Sequence, residues 1–212
     1  MAQTNSVWPA FLDGLAGQHL RMLRTRLELS HGNLALRALM ITSGTPGAGK
    51  SLISASLALL TAQVHSKVLL IDASMCHPSL HHIFGGDNRA GLSTFLTHGG
   101  DPQQYILPTP MENLTFISAG PTPENSSDLL ASPMFSEMMT RLRSTNDLIV
   151  IDSPSIVSGT PDPLLMAQAV DGVLFVVRPR HSRRAQDHQA VSLLGHTRAQ
   201  LLGCIANESF VI

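Results

Sequence analysis

Residues 44–51 read Gly-Thr-Pro-Gly-Ala-Gly-Lys-Ser, a glycine-rich turn that ends in a lysine and a hydroxyl. That spacing suits one chemistry, the gripping of a polyphosphate. Glycines at Gly44, Gly47 and Gly49 let backbone N–H groups turn inward around phosphate oxygens, with Thr45, Pro46 and Ala48 completing the loop. Lys50 is placed to reach the β- and γ-phosphates and the Ser51 hydroxyl to ligate Mg2+, with Leu52 following in the helix that starts there. The chain has only two lysines, Lys50 and Lys67, against 12 arginines, so general lysine abundance does not explain a lysine inside this turn. ATP, rather than GTP, is the expected nucleotide.

Two aspartates are candidates to complete the site. Asp152 ends the apolar run Leu148-Ile-Val-Ile151 and is expected to hold Mg2+ directly or through water. Asp72 ends Val68-Leu-Leu-Ile71 in the same manner and would face the γ-phosphate. There it could orient or deprotonate an acceptor hydroxyl, which makes Lys50, Asp72 and Asp152 the expected catalytic set. The plainer reading of either carboxylate is a cap on the turn that follows its strand.

The order of elements explains how such residues could converge. Near-continuous Val/Ile/Leu runs at 38–42, 67–73, 114–118, 148–152, 172–178 and 201–206 alternate with helical patterns at 50–64, 134–143, 163–170 and 184–198. Strands apolar along their whole length are covered on both faces. The spacing therefore predicts an α/β fold of the P-loop NTPase type, a mostly parallel central sheet with helices on both faces. Stretches 77–88 and 99–110 read as surface loops around short helices. Residues 1–30 are expected to be an N-terminal segment holding an amphipathic helix at 17–30, and 31–212 a single nucleotide-binding unit.

Composition narrows the class. A chain of 212 residues with 43% hydrophobic and 14% charged residues has the makings of one packed core. A net charge of −1 argues against a general attraction to nucleic acid, which is not an expected partner. No apolar stretch approaches the roughly 18–20 residues of a membrane span, and the first ten residues lack the basic start and apolar run of a signal peptide. A cytoplasmic protein without direct membrane insertion is expected. His77, His81 and His82 lie close together without a carboxylate or cysteine at ligand spacing, so loop histidines are the simpler reading. Arg178, Arg180, Arg183 and Arg184 form a local basic cluster, either a solvated face or a contact for nucleotide or an acidic partner.

The strings at 42–51, 69–73 and 148–154 resemble the bacterial tyrosine kinases (BY-kinases) of capsule and exopolysaccharide export. Further similar segments are His77-Pro-Ser-Leu80, Gly91-Leu-Ser93, Ala119-Gly-Pro121, Asp128-Leu-Leu130 and Val176-Val-Arg178. The resemblance implies a nucleotide site that also takes in Arg178 and Asn207, the latter against the adenine base. It further implies an oligomerisation helix carrying Gln18, Arg21 and Arg24, hence a homo-oligomer. The separate partner it implies is an inner-membrane chain-length regulator, whose cytoplasmic tail would hold the protein peripherally at that membrane.

Four departures qualify this. The family's D-x-D reads Asp72-Ala-Ser74 here, Cys76 stands where an arginine is usual, and Gln18 replaces a glutamate. The chain stops five residues after Asn207 with Tyr105 as its one tyrosine, so phosphorylation of a tyrosine-rich tail is not expected. Kinase action, slow ATP hydrolysis and nucleotide binding alone all remain open at this point, the last describing a nucleotide-gated scaffold. The rival family is that of partitioning and division-site ATPases, which carry a lysine where this chain has Thr45.

Overall fold

A computed structural model describes residues 13–30, 36–64, 66–157 and 159–208. The expectations for the first ten residues therefore lie outside the described residues. The helices are α1 (Leu15–Ser30), α2 (Lys50–Ala62), α3 (Leu80–Phe84), α4 (Leu92–His98), α5 (Ser126–Ala131), α6 (Pro133–Arg143), α7 (Asp162–Met166) and α8 (Arg184–Leu194). The strands are β1 (Ala38–Ser43), β2 (Val68–Asp72), β3 (Leu107–Pro108), β4 (Leu114–Ile117), β5 (Leu148–Asp152), β6 (Gly172–Val177) and β7 (Gln200–Ala206).

These strands form one sheet in the order β3-β4-β2-β5-β1-β6-β7, parallel throughout except for the antiparallel β3–β4 edge. Successive strand residues point to opposite faces, and both faces are covered. Met40, Leu69, Ile71, Ile149, Ile151 and Phe175 enter the core under α4–α8. Leu39, Ile41, Leu70, Val150, Leu174 and Val176 enter the core under α1, α2 and α3. Each such side chain taken fully out of water contributes roughly 1.5–3 kcal/mol, which explains why the apolar runs are unbroken.

The same alternation aims the carboxylates. Asp72 and Asp152 are two residues beyond Leu70 and Val150, so both project toward the face that carries α2. They are direct neighbours in the parallel β2–β5 ladder.

Several elements differ from expectation. The single helix expected at 163–170 is α7 followed by a 3-10 turn at Ala167–Ala169, and the helix expected at 184–198 stops at Leu194. Helices α4 and α5 and strand β3 were not expected as elements, whereas the 3-10 turn Pro102–Tyr105 falls in the stretch 99–110 read as loop around short helices. α1 packs on the domain, with Leu20 buried and Leu23 and Leu27 half-buried in the α2 core. The Arg24 guanidinium donates to the Leu60 carbonyl at 2.8 Å, joining α1 to the end of α2.

Candidate functional site

The loop between β1 and α2 is shaped by its glycines. Gly47 and Gly49 have φ of 75° and 90°, in the left-handed region that suits glycine. A Cβ at Gly49 would lie 2.1 Å from Asn207 Nδ2 and displace that amide, on a backbone whose left-handed φ already strains any other residue. Gly44 is confined differently. Its missing Cβ would lie 3.0 Å from the Asp187 Cα and 2.3 Å from Asp187 Oδ1, because the first turn of α8 packs against it. Hydrogen bonds brace the backbone around the loop: Ser43 Oγ donates to the Thr45 carbonyl at 2.7 Å, and Ile156 and Val157 donate to Ser43 and Gly44. Pro46 and Gly47 form the exposed crown, Ala48 is buried, and Leu52 is half-buried in the first turn of α2.

Lys50 and Ser51 begin α2, so the positive end of that helix opens on the loop. Desolvation lowers the Lys50 pKa, and the Asp152 charge pulls it back up. Asp152 is fully buried, and burial together with the neighbouring Asp72 charge pushes its pKa up to about 7 against lesser opposition from Ser51, Lys50 and Ser54. Ser54 Oγ reaches Asp152 Oδ1 at 3.2 Å. The Ser51 hydroxyl also approaches this carboxylate, but without hydrogen-bond geometry to Oδ2, which is buried and has no protein donor. A buried carboxylate oxygen left over beside a serine hydroxyl and a lysine is the donor set that suits a hard cation on a phosphate. The residues present thus fit Mg2+, with Ser51 and Asp152 as its holders.

Asp72 is equally buried but differently engaged. Its Oδ1 accepts from Ser74 N–H at 3.1 Å, and its Oδ2 accepts from Ser79 and Leu80 N–H at 3.0 Å each. It therefore secures the turn that leads into α3, the plainer role open to it from sequence. Burial raises its pKa and these three bonds oppose the rise. One acceptor position on Oδ1 is left by this count.

At the far rim, Asn207 Nδ2 donates to the Ala48 carbonyl at 2.9 Å, and Arg178 Nη1 reaches the Gly47 carbonyl at 3.4 Å. The structure thus brings Gly44–Leu52, Asp72, Asp152, Arg178 and Asn207 to one sheet edge. Gln18, Arg21 and Arg24 lie apart on α1. Gln18 is exposed and Arg21 half-buried, whereas Arg24 is engaged within the chain by Leu60 and by Glu28 at 3.4 Å. No cluster of three metal-ligating side chains occurs among the described residues, so the histidines of 77–82 form no such centre. Ser54 was missed from the sequence, although it stands three residues after Ser51 and so on the same helix face. Asp187 was missed with no local signal, because only tertiary packing brings α8 to Gly44.

Comparison with known proteins agrees with this fold. A ParA family model, described as NUBPL iron-transfer P-loop NTPase, matches residues 35–212. Tyrosine-protein kinase YwqD of Bacillus subtilis (strain 168) is 31% identical over 193 residues, covering 91% of this chain and 81% of that protein. This chain belongs to the bacterial tyrosine-kinase family. Among solved relatives, the chimerical protein CapA2B2 superposes with a TM-score of 0.87 at 30% identity, over 93% of this chain and 86% of that one. The kinase domain of the Escherichia coli tyrosine kinase ETK gives 0.88 at 26%, over 98% and 80%. The septum site-determining protein MinD of Pyrococcus horikoshii OT3, at 0.69 and 23%, shares the fold alone. The chain is thus a P-loop NTPase in fold as well as motif. No described helix is long and apolar enough to cross a membrane.

Proposed function

We propose that this protein binds Mg2+ and ATP at residues 44–52 and acts as a cytoplasmic regulator of capsule or exopolysaccharide polymerisation and export. The observation that carries the nucleotide reading is the unpartnered, buried Asp152 Oδ2 on the α2 face beneath Lys50 and Ser51. In this reading Ser51 and Asp152 hold the cation, which supplies positive charge to the phosphates. Lys50 balances charge on the transferred group, and Arg178 and Asn207 flank the base end.

The chemistry is phosphoryl transfer to a tyrosine of another chain. The acceptor hydroxyl oxygen bonds to the γ-phosphorus, the bond from that phosphorus to the β–γ bridging oxygen breaks, and ADP leaves with its electron pair. The acceptor proton passes to the remaining position on Asp72 Oδ1, a carboxylate whose raised pKa makes it a better base than an exposed one. A separate inner-membrane chain-length regulator would recruit the protein by its cytoplasmic tail, and α1 would contribute to a homo-oligomer. This rests on the family, with Gln18 and Arg21 as the contact residues left accessible.

ADP release from Mg-ATP, with Lys50→Ala as the blank and a tyrosine-rich peptide as acceptor, tests the reading. Turnover that rises with peptide and leaves phosphotyrosine on it supports kinase action. ATP binding without turnover would leave a nucleotide-gated scaffold, and Ser74→Asp would then test whether the missing charge is the cause.

A further inference from the structure

The turn after β6 carries an arginine cluster that the nucleotide site does not absorb. Arg178, Arg180, Arg183 and Arg184 fall within seven residues of a chain whose net charge is −1. The last three are exposed, and among the described residues none of the four forms an ion pair with a carboxylate. The turn itself is firmly built. His181 and Ser182 N–H donate to the Arg178 carbonyl at 3.0 and 2.8 Å, and Arg178 N–H donates to Ser182 Oγ at 2.9 Å.

Two of its features work against stability. Arg180 holds φ at 68°, a left-handed conformation shared among described non-glycine residues only by Asn113, a type that adopts it readily. Arg183 and Arg184 are the N-cap and first residue of α8, where the positive helix end disfavours cations, and no side chain caps that end. The acidic residue of the first turn, Asp187, lies against Gly44. Strained backbone and adverse charge at one place point to a function for the place.

We propose that the turn at residues 180–184 docks an acidic polypeptide segment of a partner protein at the rim of the nucleotide site. Guanidinium groups fixed on a short turn suit bidentate pairing with carboxylates. The contact of Arg178 with Gly47 sets this surface beside the crown of the phosphate loop. A membrane surface is the poorer fit, because the exposed face of α8 continues through His188 and Gln189 with Val191 as its sole large apolar residue. The inference does not depend on whether the site transfers phosphate.

Fluorescence anisotropy of a labelled glutamate-rich peptide of about a dozen residues, added to the intact protein, tests it. A glutamine-for-glutamate peptide and phosphatidylglycerol vesicles serve as comparisons. Replacing Arg180→Asn, Arg183→Gln and Arg184→Gln together is expected to weaken peptide binding by about tenfold or more. The Arg183→Gln, Arg184→Gln pair, which leaves the strained position alone, is expected to fall between. Binding should also weaken with added salt. Labelled ATP, titrated separately, should bind parent and variants alike. The proposal is overturned if the acidic peptide fails to bind the parent, or binds the triple variant as well. Capture by vesicles without peptide binding would assign the turn to a lipid surface instead. Salt-sensitive self-association without peptide binding would assign it to a second copy of this chain. Failure of the parent to bind ATP would sink the nucleotide reading and leave this one standing.

Discussion

Two carboxylates at opposite ends of the sheet, Asp171 and Asp152, are treated in opposite ways. At the edge where β6 begins, Asp171 accepts from Arg37 and Ala38 N–H at 2.8 Å each and from the Arg143 guanidinium at 2.9 Å. At the edge where β5 ends, Asp152 has one hydroxyl at 3.2 Å on Oδ1 and none on Oδ2, and it is deeper in the protein. A carboxylate that is fully paired stabilises the fold, whereas a buried one left partly unpaired destabilises it until something arrives. Asp171 is stitched for stability and Asp152 is set up for a ligand, while Asp72 beside it is tied by three backbone amides.

The comparison can be broken in several ways. Lys50→Ala should have the largest effect, reducing ATP affinity or turnover by about 100-fold or more while leaving thermal stability close to the parent's. Nucleotide titration alongside a melting curve checks this, and unchanged affinity would remove the loop from the functional account. Asp152→Asn should cost about 10- to 100-fold in Mg2+-dependent nucleotide affinity, with no loss of stability in the free protein. Asp171→Ala should do the reverse, losing about 2 kcal/mol in denaturant unfolding with nucleotide affinity unchanged. If both substitutions destabilise equally, the contrast between the edges fails.

Titration sharpens it further. The folded pKa of Asp152 is raised to about 7 from its ordinary 3.8. Between those values the unfolded chain has lost the proton that the folded chain keeps, so stability falls as pH rises through this window and levels off above about 7. Without nucleotide or Mg2+, Asp152→Asn should therefore be more stable than the parent at pH 8, and that advantage should shrink as pH falls and vanish only near pH 4. Paired melting curves decide it, and a pH-independent difference would contradict the buried charge. The smallest effect is expected from Arg24→Ala, about 1 kcal/mol lost through the α1–α2 bond to Leu60, without change in nucleotide binding.

Much of this was legible in the chain because the deciding physics is local or periodic. The strands were readable since burial on both faces demands unbroken apolar runs, as in Leu148–Asp152. α4 and α5 were not readable. They are short, begin after Gly91 and Asn125, and mix serine and threonine with the few apolar residues, Leu92, Phe95, Leu96 and Leu130, that bury against other elements. Strand β3 has only two residues and exists through its pairing with β4.

The phosphate loop belongs to the local kind. Its turn depends on backbone freedom at Gly47 and Gly49 and on a helix that starts within the same eight residues, so spacing alone specified it. The fates of Asp72 and Asp152 belong to the other kind. Both end apolar runs and both are aspartates, and nothing nearby in sequence separates them. Chain folding sends the amides of Ser79 and Leu80 back to Asp72 and sends no donor to Asp152 Oδ2. Arg24 is a similar case: the resemblance implied a contact between chains, and within the chain the packing of α1 on α2 places the Leu60 carbonyl within its reach. Hydrogen bonding between residues far apart in sequence is settled by which backbone groups the fold leaves facing one another.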